Sequence, residues 1–346
     1  MVGRRLPGPL IGGIAQLVVA RVFVTGGTGV IGRALVTRLT EHGDEVIALA
    51  RSDASALALI DRGAQVVRGE GWDEDALAQG MSGCTVAFNL AGVNSLCVAD
   101  PAPMQRANVD GAVAAVRAAS RAGLPRLVHT SSAATIGEAN GVLATESTPH
   151  RGSYLSTYER TKTEGERAAM VAAAALGQDV VYVNPSSVQG PGRASGTGRF
   201  LIAFLDGRLK VFVNTHVSMV DIADCIEGHV LAAERGAAGE RYLLSGIRLT
   251  ITEALALAAE VAGVQRRPRL VPGAVASVAG TAVEYAFRAR GRQPPVCREM
   301  VRTLRHGHRY DGSRAERELG LTYAPARDTL MRTVEWARTE GLLRNI

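Results

Sequence analysis

The sequence predicts a doubly wound α/β fold, a parallel sheet with helices on both faces, joined to a smaller C-terminal α/β lobe. Three observations carry that expectation. Apolar runs fit for buried parallel strands alternate with helical segments through the first half of the chain. The first of these runs passes at once into a glycine-rich turn and a helix. The length, 346 residues with 47% hydrophobic, is enough for two domains or for one large α/β unit with a lobe. We place an N-terminal extension at 1–19, the main sheet domain at 20–185 and the lobe mainly at 186–346, with some elements returning to the main sheet.

Taken in order, Val22-Phe-Val-Thr25 is the first strand, and it runs into Thr25-Gly-Gly-Thr-Gly-Val-Ile-Gly32. Arg33–Thr40 then continues with helical periodicity. Gly26 and Gly29 permit a sharp turn and close approach of the backbone to a pyrophosphate. Val30 and Ile31 lie where the helix opens, and Gly32 lets it pack closely on the strand. A merely tight turn is the plain alternative, and the strand–turn–helix context counts against it. The second strand, Glu45–Ala50, ends in Arg51. Dinucleotide-binding folds put a carboxylate there for NAD or an Arg nearby for the 2′-phosphate of NADP. Arg51 favours NADP, while Asp53 keeps NAD open. Arg51 also reads as an ordinary solvated residue in so arginine-rich a chain.

Ala64–Arg68 is the third strand, followed by Gly69-Glu70-Gly71 and a short helix from Asp73. Thr85–Leu90 ends in Asn89-Leu90-Ala91-Gly92, small residues beside which a cofactor can lie close to the backbone. A helix rich in Ala and Val covers Asn108 to Ala122. Leu127-Val-His-Thr130-Ser131-Ser132 is a further strand with hydroxyls at its carboxyl end, where ligands of such sheets bind. Capping or turn serines are the bland reading of that pair.

Tyr158 and Lys162 then stand out. Of 39 basic residues only Lys162 and Lys210 are lysines. Four residues apart on a helix, Tyr158 and Lys162 share a face. An ammonium beside a phenol favours the phenolate, bringing a group of pKa near 10 toward useful acid–base range. Alone, Tyr-x-x-x-Lys is common surface decoration; here it accompanies the glycine turn and the serines.

These segments together resemble the extended short-chain dehydrogenase/reductase family, of the NAD-dependent epimerase/dehydratase type. The resemblance rests on the glycine turn, Asn89-Leu-Ala-Gly92, Asn108-Val-Asp-Gly111, Thr130-Ser-Ser132, Tyr158-x-x-x-Lys162 and Asn184-Pro-Ser-Ser187, with later matches at Val220–Asp224 and Asp311–Gly320. Within the family the chain looks most like dihydroflavonol-reductase-like and hopanoid-associated sugar epimerase-like proteins. The resemblance implies a Rossmann-type fold. It further implies that Tyr158 is the acid–base group and that Lys162 holds the nicotinamide ribose. Ser132, or Ser131 one place earlier, would bind the reacting oxygen. Pro185, Ser187 and the neighbouring backbone, with Thr130, would bracket the nicotinamide. Glu70 and Gly71 fall at the adenine site, where the family usually has Asp and a larger apolar residue. A homodimer is implied through the Ala-rich helices.

Composition excludes other classes. The net charge of +6 is spread as scattered arginines, and aromatics are only 4%, which leaves little for base stacking, so no nucleic acid is expected. The dense positive spots, Arg266–Arg269 and Arg288–Arg292, are solvated surface or a contact for anionic lipid or phosphate. Four cysteines without paired ligand spacing predict free thiols in a reducing compartment, and no metal-ligand set shows by spacing. Arg4-Arg5 before apolar Leu10–Ala20 is a faint secretory pattern without a spacer. We read it as an extension, not an integral membrane segment, and expect a cytoplasmic protein. Asn184 and, in the lobe, Arg199, Phe200 and His216 are candidate substrate contacts; Ala274–Phe287 is an apolar helix for core packing or a lobe interface, with a membrane-surface contact as the minor reading because it lacks clear amphipathicity. The expected activity is NADP-preferring reduction of a carbonyl or oxidation of an alcohol on a small molecule, with NAD possible. A nucleotide-sugar 4-epimerase holding NAD tightly is the alternative, and a non-catalytic dinucleotide-binding protein the third reading.

Overall fold

The structure, a computed structural model, describes residues 20–344. The faint secretory pattern and the extension therefore lie outside the described residues. Seven parallel strands form the main sheet: β1 (Arg21–Thr25), β2 (Glu45–Ala50), β3 (Gln65–Arg68), β4 (Val86–Asn89), β5 (Arg126–Thr130), β6 (Val180–Pro185) and β7 (Arg241–Leu244). Their order is β7-β6-β5-β4-β1-β2-β3. The chain steps outward from β1 in one direction through β2 and β3, then resumes on its other side with β4. This makes a topological switch point between β1 and β4, and ligands of such sheets bind outside the carboxyl ends there.

Alternate residues of each strand feed two cores. Val22, Val24, Val46 and Ala48 face one side, packed with Leu35 and Val36 of the helix Val30–His42 and Ile226 of the helix Ile222–Arg235. Phe23, Ile47 and Tyr182 face the other, with Leu77 of Glu74–Met81, Ala115 of Gly111–Arg121 and Ala169 of Thr157–Leu176. Strands buried on both faces need apolar residues at every position, which is why they read as continuous runs rather than alternations. At about 25 cal/mol per Å², each fully buried Val or Phe side chain contributes about 2 kcal/mol of transfer free energy.

The remaining strands belong to small sheets: Ile247–Thr250, His216–Asp221 and Ser187–Gln189 in one, Arg269–Val271 with Val211–Val213, and Arg309–Tyr310 with Leu143–Ala144. The helices Thr197–Leu205, Ile251–Val261 and Ala326–Thr339 share a separate core around Phe204, Ala258 and Leu330. Among the described residues no helix is long and apolar enough to cross a membrane.

Two expectations are corrected. Cys97 and Cys297 are joined in a disulfide, with Cα atoms 5.6 Å apart, and only Cys84 and Cys225 are free, both buried. Partners separated by 200 residues leave no spacing signal in the sequence. The apolar helix, Gly273–Arg288, is not a core helix: only Gly280 and Glu284 are buried in it, while Val278 is 73% and Tyr285 78% exposed.

Candidate active site at the carboxyl edge of the sheet

The glycine turn sits at the switch point. Gly26 has φ +66°, and a Cβ there would lie 2.6 Å from the Leu90 carbonyl carbon, so only glycine lets the turn nest against the β4 end. A Cβ on Gly32 would meet the Gly26 carbonyl oxygen at 2.1 Å, which fixes how closely the helix approaches the turn. The helix opens at Val30 and Ile31 behind Gly29, with no side chain capping it. Its first N–H groups are thus left for an anion.

Three strand ends are tied together behind this turn. Thr25 donates to Asn89 Oδ1 at 2.6 Å and accepts from the Ala91 N–H at 3.1 Å. Asn89 Nδ2 lies 3.0 Å from His129 Nδ1. Burial, reinforced by the Lys162 charge, holds His129 neutral with a pKa of about 3, so its Nδ1 accepts from the Asn89 amide. The Thr130 hydroxyl meets His229 Nε2 at 2.9 Å, and His229 Nδ1 donates to the Cys225 carbonyl at 2.6 Å. Burial lowers His229 to about 4.

Both imidazoles have depressed folded pKa values, so the unfolded chain takes up protons near pH 6.5 while the folded one does not until about 3 to 4. Their stabilisation is complete above pH 6.5 and is lost as pH falls through that window, by a few kcal/mol each on the order-of-magnitude scale of linkage. Melting temperatures recorded from pH 7 to 4 are expected to fall steeply, and His229→Gln is expected to flatten the fall.

The helix Thr157–Leu176 starts at Ser156, whose side chain accepts from the Glu159 N–H, and carries Tyr158, Lys162 and Glu166 one turn apart on one face. The Ser132 hydroxyl caps the turn that follows β5, accepting from the Ala134 N–H at 3.3 Å, and acts on the Tyr158 phenol, drawing its pKa down. Lys162 is 6% exposed and donates to the Thr130 carbonyl at 2.9 Å. Burial lowers its pKa to about 8, opposed by Glu166. Glu166 is itself held by Asn184 at 2.5 Å, Thr135 at 3.1 Å and Arg241 at 3.2 Å.

The phenol behaves differently from the sequence expectation. Burial raises Tyr158 above 10, and the groups drawing it down are Ser132 and Arg193. Lys162 points its ammonium at the Thr130 carbonyl instead, so the phenol keeps its proton in this state.

The other expected residues are distributed as follows. Ser131 is 5% exposed with a hydroxyl that has no partner. Asn184 is fully buried, and its amide bonds the Ser132 carbonyl at 3.2 Å and Thr135 at 2.9 Å, so it braces the serine from behind. Pro185 ends β6 beside Leu244. Ser187 bonds Thr197 at 2.7 Å. Gly71 faces Ala91, and a Cβ on it would lie 3.2 Å from that methyl. Glu70 precedes it in the loop after β3, its carbonyl accepting from Asp73 N–H. Arg199 is exposed over the Phe200 ring, and Phe200 packs against the small cluster of Cys97, Cys297 and Met300. His216 is exposed at the start of its strand, paired with Thr250. Arg51 is exposed at the end of β2.

Several neighbours were not legible in the sequence. Arg68 pairs across from Ala50 and binds Asp53. Asn108 lies in a π-turn, Arg106–Asp110, and clamps Val93 through both backbone groups while reaching Thr161 at 3.0 Å. Glu299 accepts from the Cys97 N–H at 2.5 Å and from the Thr157 N–H at 2.9 Å, joining the lobe to the first turn of the Tyr158 helix. Glu138 meets His308 Nδ1 at 2.7 Å with His306 beside it, three residues that spacing did not connect.

The residues present fit a dinucleotide. A turn too close for any Cβ, an uncapped helix start and an unpartnered buried Ser131 hydroxyl line one edge. The comparisons agree. The chain matches the NAD dependent epimerase/dehydratase family over residues 22–245. It is 33% identical over 330 residues to a putative dihydroflavonol 4-reductase of Synechocystis sp., covering 93% of this chain and 96% of that one. It is 32% identical over 328 residues to sterol demethylase protein B of Methylococcus capsulatus, covering 93% and 99%. Among solved structures, that of gox2253 superposes with a TM-score of 0.82 at 29% identity, covering 94% and 100%. The chain belongs to the NAD dependent epimerase/dehydratase family.

Proposed function

We propose that the protein is an NADP-preferring reductase or dehydrogenase that interconverts a carbonyl and an alcohol on a small molecule. The observation that carries this reading is the meeting of the Ser132 and Tyr158 hydroxyls above a buried Lys162 at the same strand edge as the glycine turn. The dinucleotide, when bound, supplies or accepts the hydride. Ser132 and Tyr158 hold the substrate oxygen by two hydrogen bonds. In reduction the Tyr158 proton passes to that oxygen as the carbonyl carbon becomes an alcohol, and in oxidation it returns. A phenol kept protonated by burial suits the donating direction. Asn184, Thr135 and Glu166 position Ser132 and Lys162 without reaching the reacting atoms. Gly26, Gly29 and the first turn at Val30 and Ile31 would take the pyrophosphate, with Leu90, Ala91, Gly92, Glu70 and Gly71 along the adenosine half. Thr130, Pro185 and Ser187 would border the nicotinamide.

The NADP preference rests on Arg51 and Arg68. Asp53, the carboxylate that would suit free ribose hydroxyls, is paired with Arg68, which leaves Arg51 exposed at the end of β2 for a 2′-phosphate, with Arg68 able to join it by giving up Asp53. Arg51→Ala and Arg68→Ala are each expected to weaken NADPH binding by about 10- to 100-fold, the worth of a charge-assisted contact, with NADH binding little changed. Fluorescence titration of both nucleotides checks this; equal losses for the two would remove the 2′-phosphate assignment. Tightly co-purifying NAD that survives dialysis would instead favour the 4-epimerase reading. A protein that binds nucleotide but turns over no carbonyl or sugar substrate would favour the non-catalytic one.

The relatives' names, dihydroflavonol and sterol, share a fused-ring skeleton that carries a carbonyl or hydroxyl, and we extend that class of substrate to this chain. The proposal includes a homodimer in which the Tyr158 helix, exposing Val171 and Leu176, lies at the subunit contact.

A further inference from the structure

The outward face of the helix Gly273–Arg288 is largely apolar, with Thr281 as its exposed hydroxyl, bonded to the Ser277 carbonyl. Val275 is 56%, Val278 73% and Tyr285 78% exposed. The helix holds one carboxylate, Glu284, and it is turned inward, accepting from Arg288 at 2.9 Å and from the Arg298 backbone and side chain at 2.9 and 3.2 Å. The strand just before the helix, Arg269–Val271, carries exposed Leu270. Between Gln265 and Arg298 the chain has six arginines and that single carboxylate. Arg267 and Arg269 stand exposed before the helix, Arg290 and Arg292 after it.

We infer that this face docks on the surface of an anionic phospholipid bilayer, with the helix lying in the interface. An apolar stripe that leaves only guanidiniums at its ends matches hydrocarbon at the headgroup boundary and negative charge around it. A second copy of the chain fits poorly, because a two-fold contact through this face would bring the same arginine rims together. No described helix is both long and apolar enough to span a membrane, so the contact is one-sided. The docking face continues into the protein. A cavity of about 630 Å³ beside the end of the helix is lined by Val93, Val98, Met104, Arg288, Arg292 and Pro294. Val93 directly follows Gly92 and is clamped by Asn108, so the cavity runs from the docking face to the loop bordering the proposed nucleotide site. An apolar substrate dissolved in the bilayer would have a route inward that avoids water. This last step rests on the proposed reaction; the docking itself does not.

The test is co-sedimentation of the full chain with vesicles of phosphatidylcholine alone and with phosphatidylglycerol added. The protein is expected to pellet with the anionic vesicles and to be released as salt rises. The double variant Val278→Asp/Tyr285→Asp, at exposed positions, is expected to lose about tenfold or more of that binding, and Arg267→Glu/Arg290→Glu to erase the difference between the two vesicle types. Circular dichroism melts should show all variants folded, and turnover of a water-soluble carbonyl should be unchanged, which separates failure of docking from failure of the proposed reaction. Absence of binding to anionic vesicles, or binding that both variants leave intact, overturns the inference. So does a dimer that light scattering shows the Val278→Asp/Tyr285→Asp variant to split, since the face would then belong to a second copy.

Discussion

Tyr158→Phe is expected to lower turnover by about 10²- to 10⁴-fold, the usual contribution of a positioned acid–base group, with nucleotide affinity nearly unchanged. The substitution removes one oxygen from a half-buried ring and leaves the helix Thr157–Leu176, its Ser156 cap and the Lys162 contact to Thr130 in place. Loss of rate with intact NADPH titration would therefore locate the defect in proton delivery. Full activity would sink the mechanism. The pH profile gives a second reading of the same site. Lys162, lowered to about 8 by burial, is an ammonium below that pH and neutral above it. Rate is expected to fall as pH rises through about 8, well before the raised Tyr158 phenol would ionise in the nucleotide-free state. Lys162→Arg tests shape against charge. A Cβ built on Gly92 would already lie 3.8 Å from the Lys162 ammonium and 3.0 Å from Asn108 Oδ1, so the corner is tight. A guanidinium there should displace the loop that follows β4 and weaken both nucleotide binding and rate.

What the sequence made legible was local. The glycine turn needs φ > 0 and missing Cβ atoms at fixed offsets, and the paired Tyr158 and Lys162 need only the helical repeat. Both kinds of constraint are written within one strand–turn–helix unit or one helix face. Glu166 lay one further turn along the same face and was readable by the same rule, but its role depends on Asn184 and Arg241, from other elements. Arg193 reaches Tyr158 from the glycine-rich stretch after β6, and Arg68 reaches Asp53 across two strands. Such contacts are set by sheet order, which strand-by-strand reading does not supply. The exposed helix failed for a different reason. Its composition is that of a core segment, and composition carries no information about which side is left uncovered.

Reducing the Cys97–Cys297 bond, or replacing it by Cys97→Ser/Cys297→Ser, is expected to cost several kcal/mol of stability. The bond closes a loop of 200 residues, for which the chain-entropy model gives about 5 kcal/mol. The expected result is a lower urea midpoint in dithiothreitol, with the same shift in the double serine variant and no further effect of reductant on it. Coincident unfolding curves with and without reductant, after thiol titration has shown the bond open, would remove the claim. The same bond bears on the site. It fastens the loop after β4 to the start of the helix Arg298–His306, and from that helix Glu299 accepts from the backbone of both Cys97 and Thr157. Once the link is cut, Glu299 and Arg302, which donates to the Leu155 carbonyl at 2.7 Å, still join this helix to the segment before Tyr158. Looser positioning of the lobe should raise KM for the substrate more than it lowers kcat, because the Ser132, Tyr158 and Lys162 contacts are made within the main sheet domain and do not pass through the bond. A fall in kcat with KM unchanged would mean that the disulfide acts on the phenol itself, through Glu299 and the first turn of its helix.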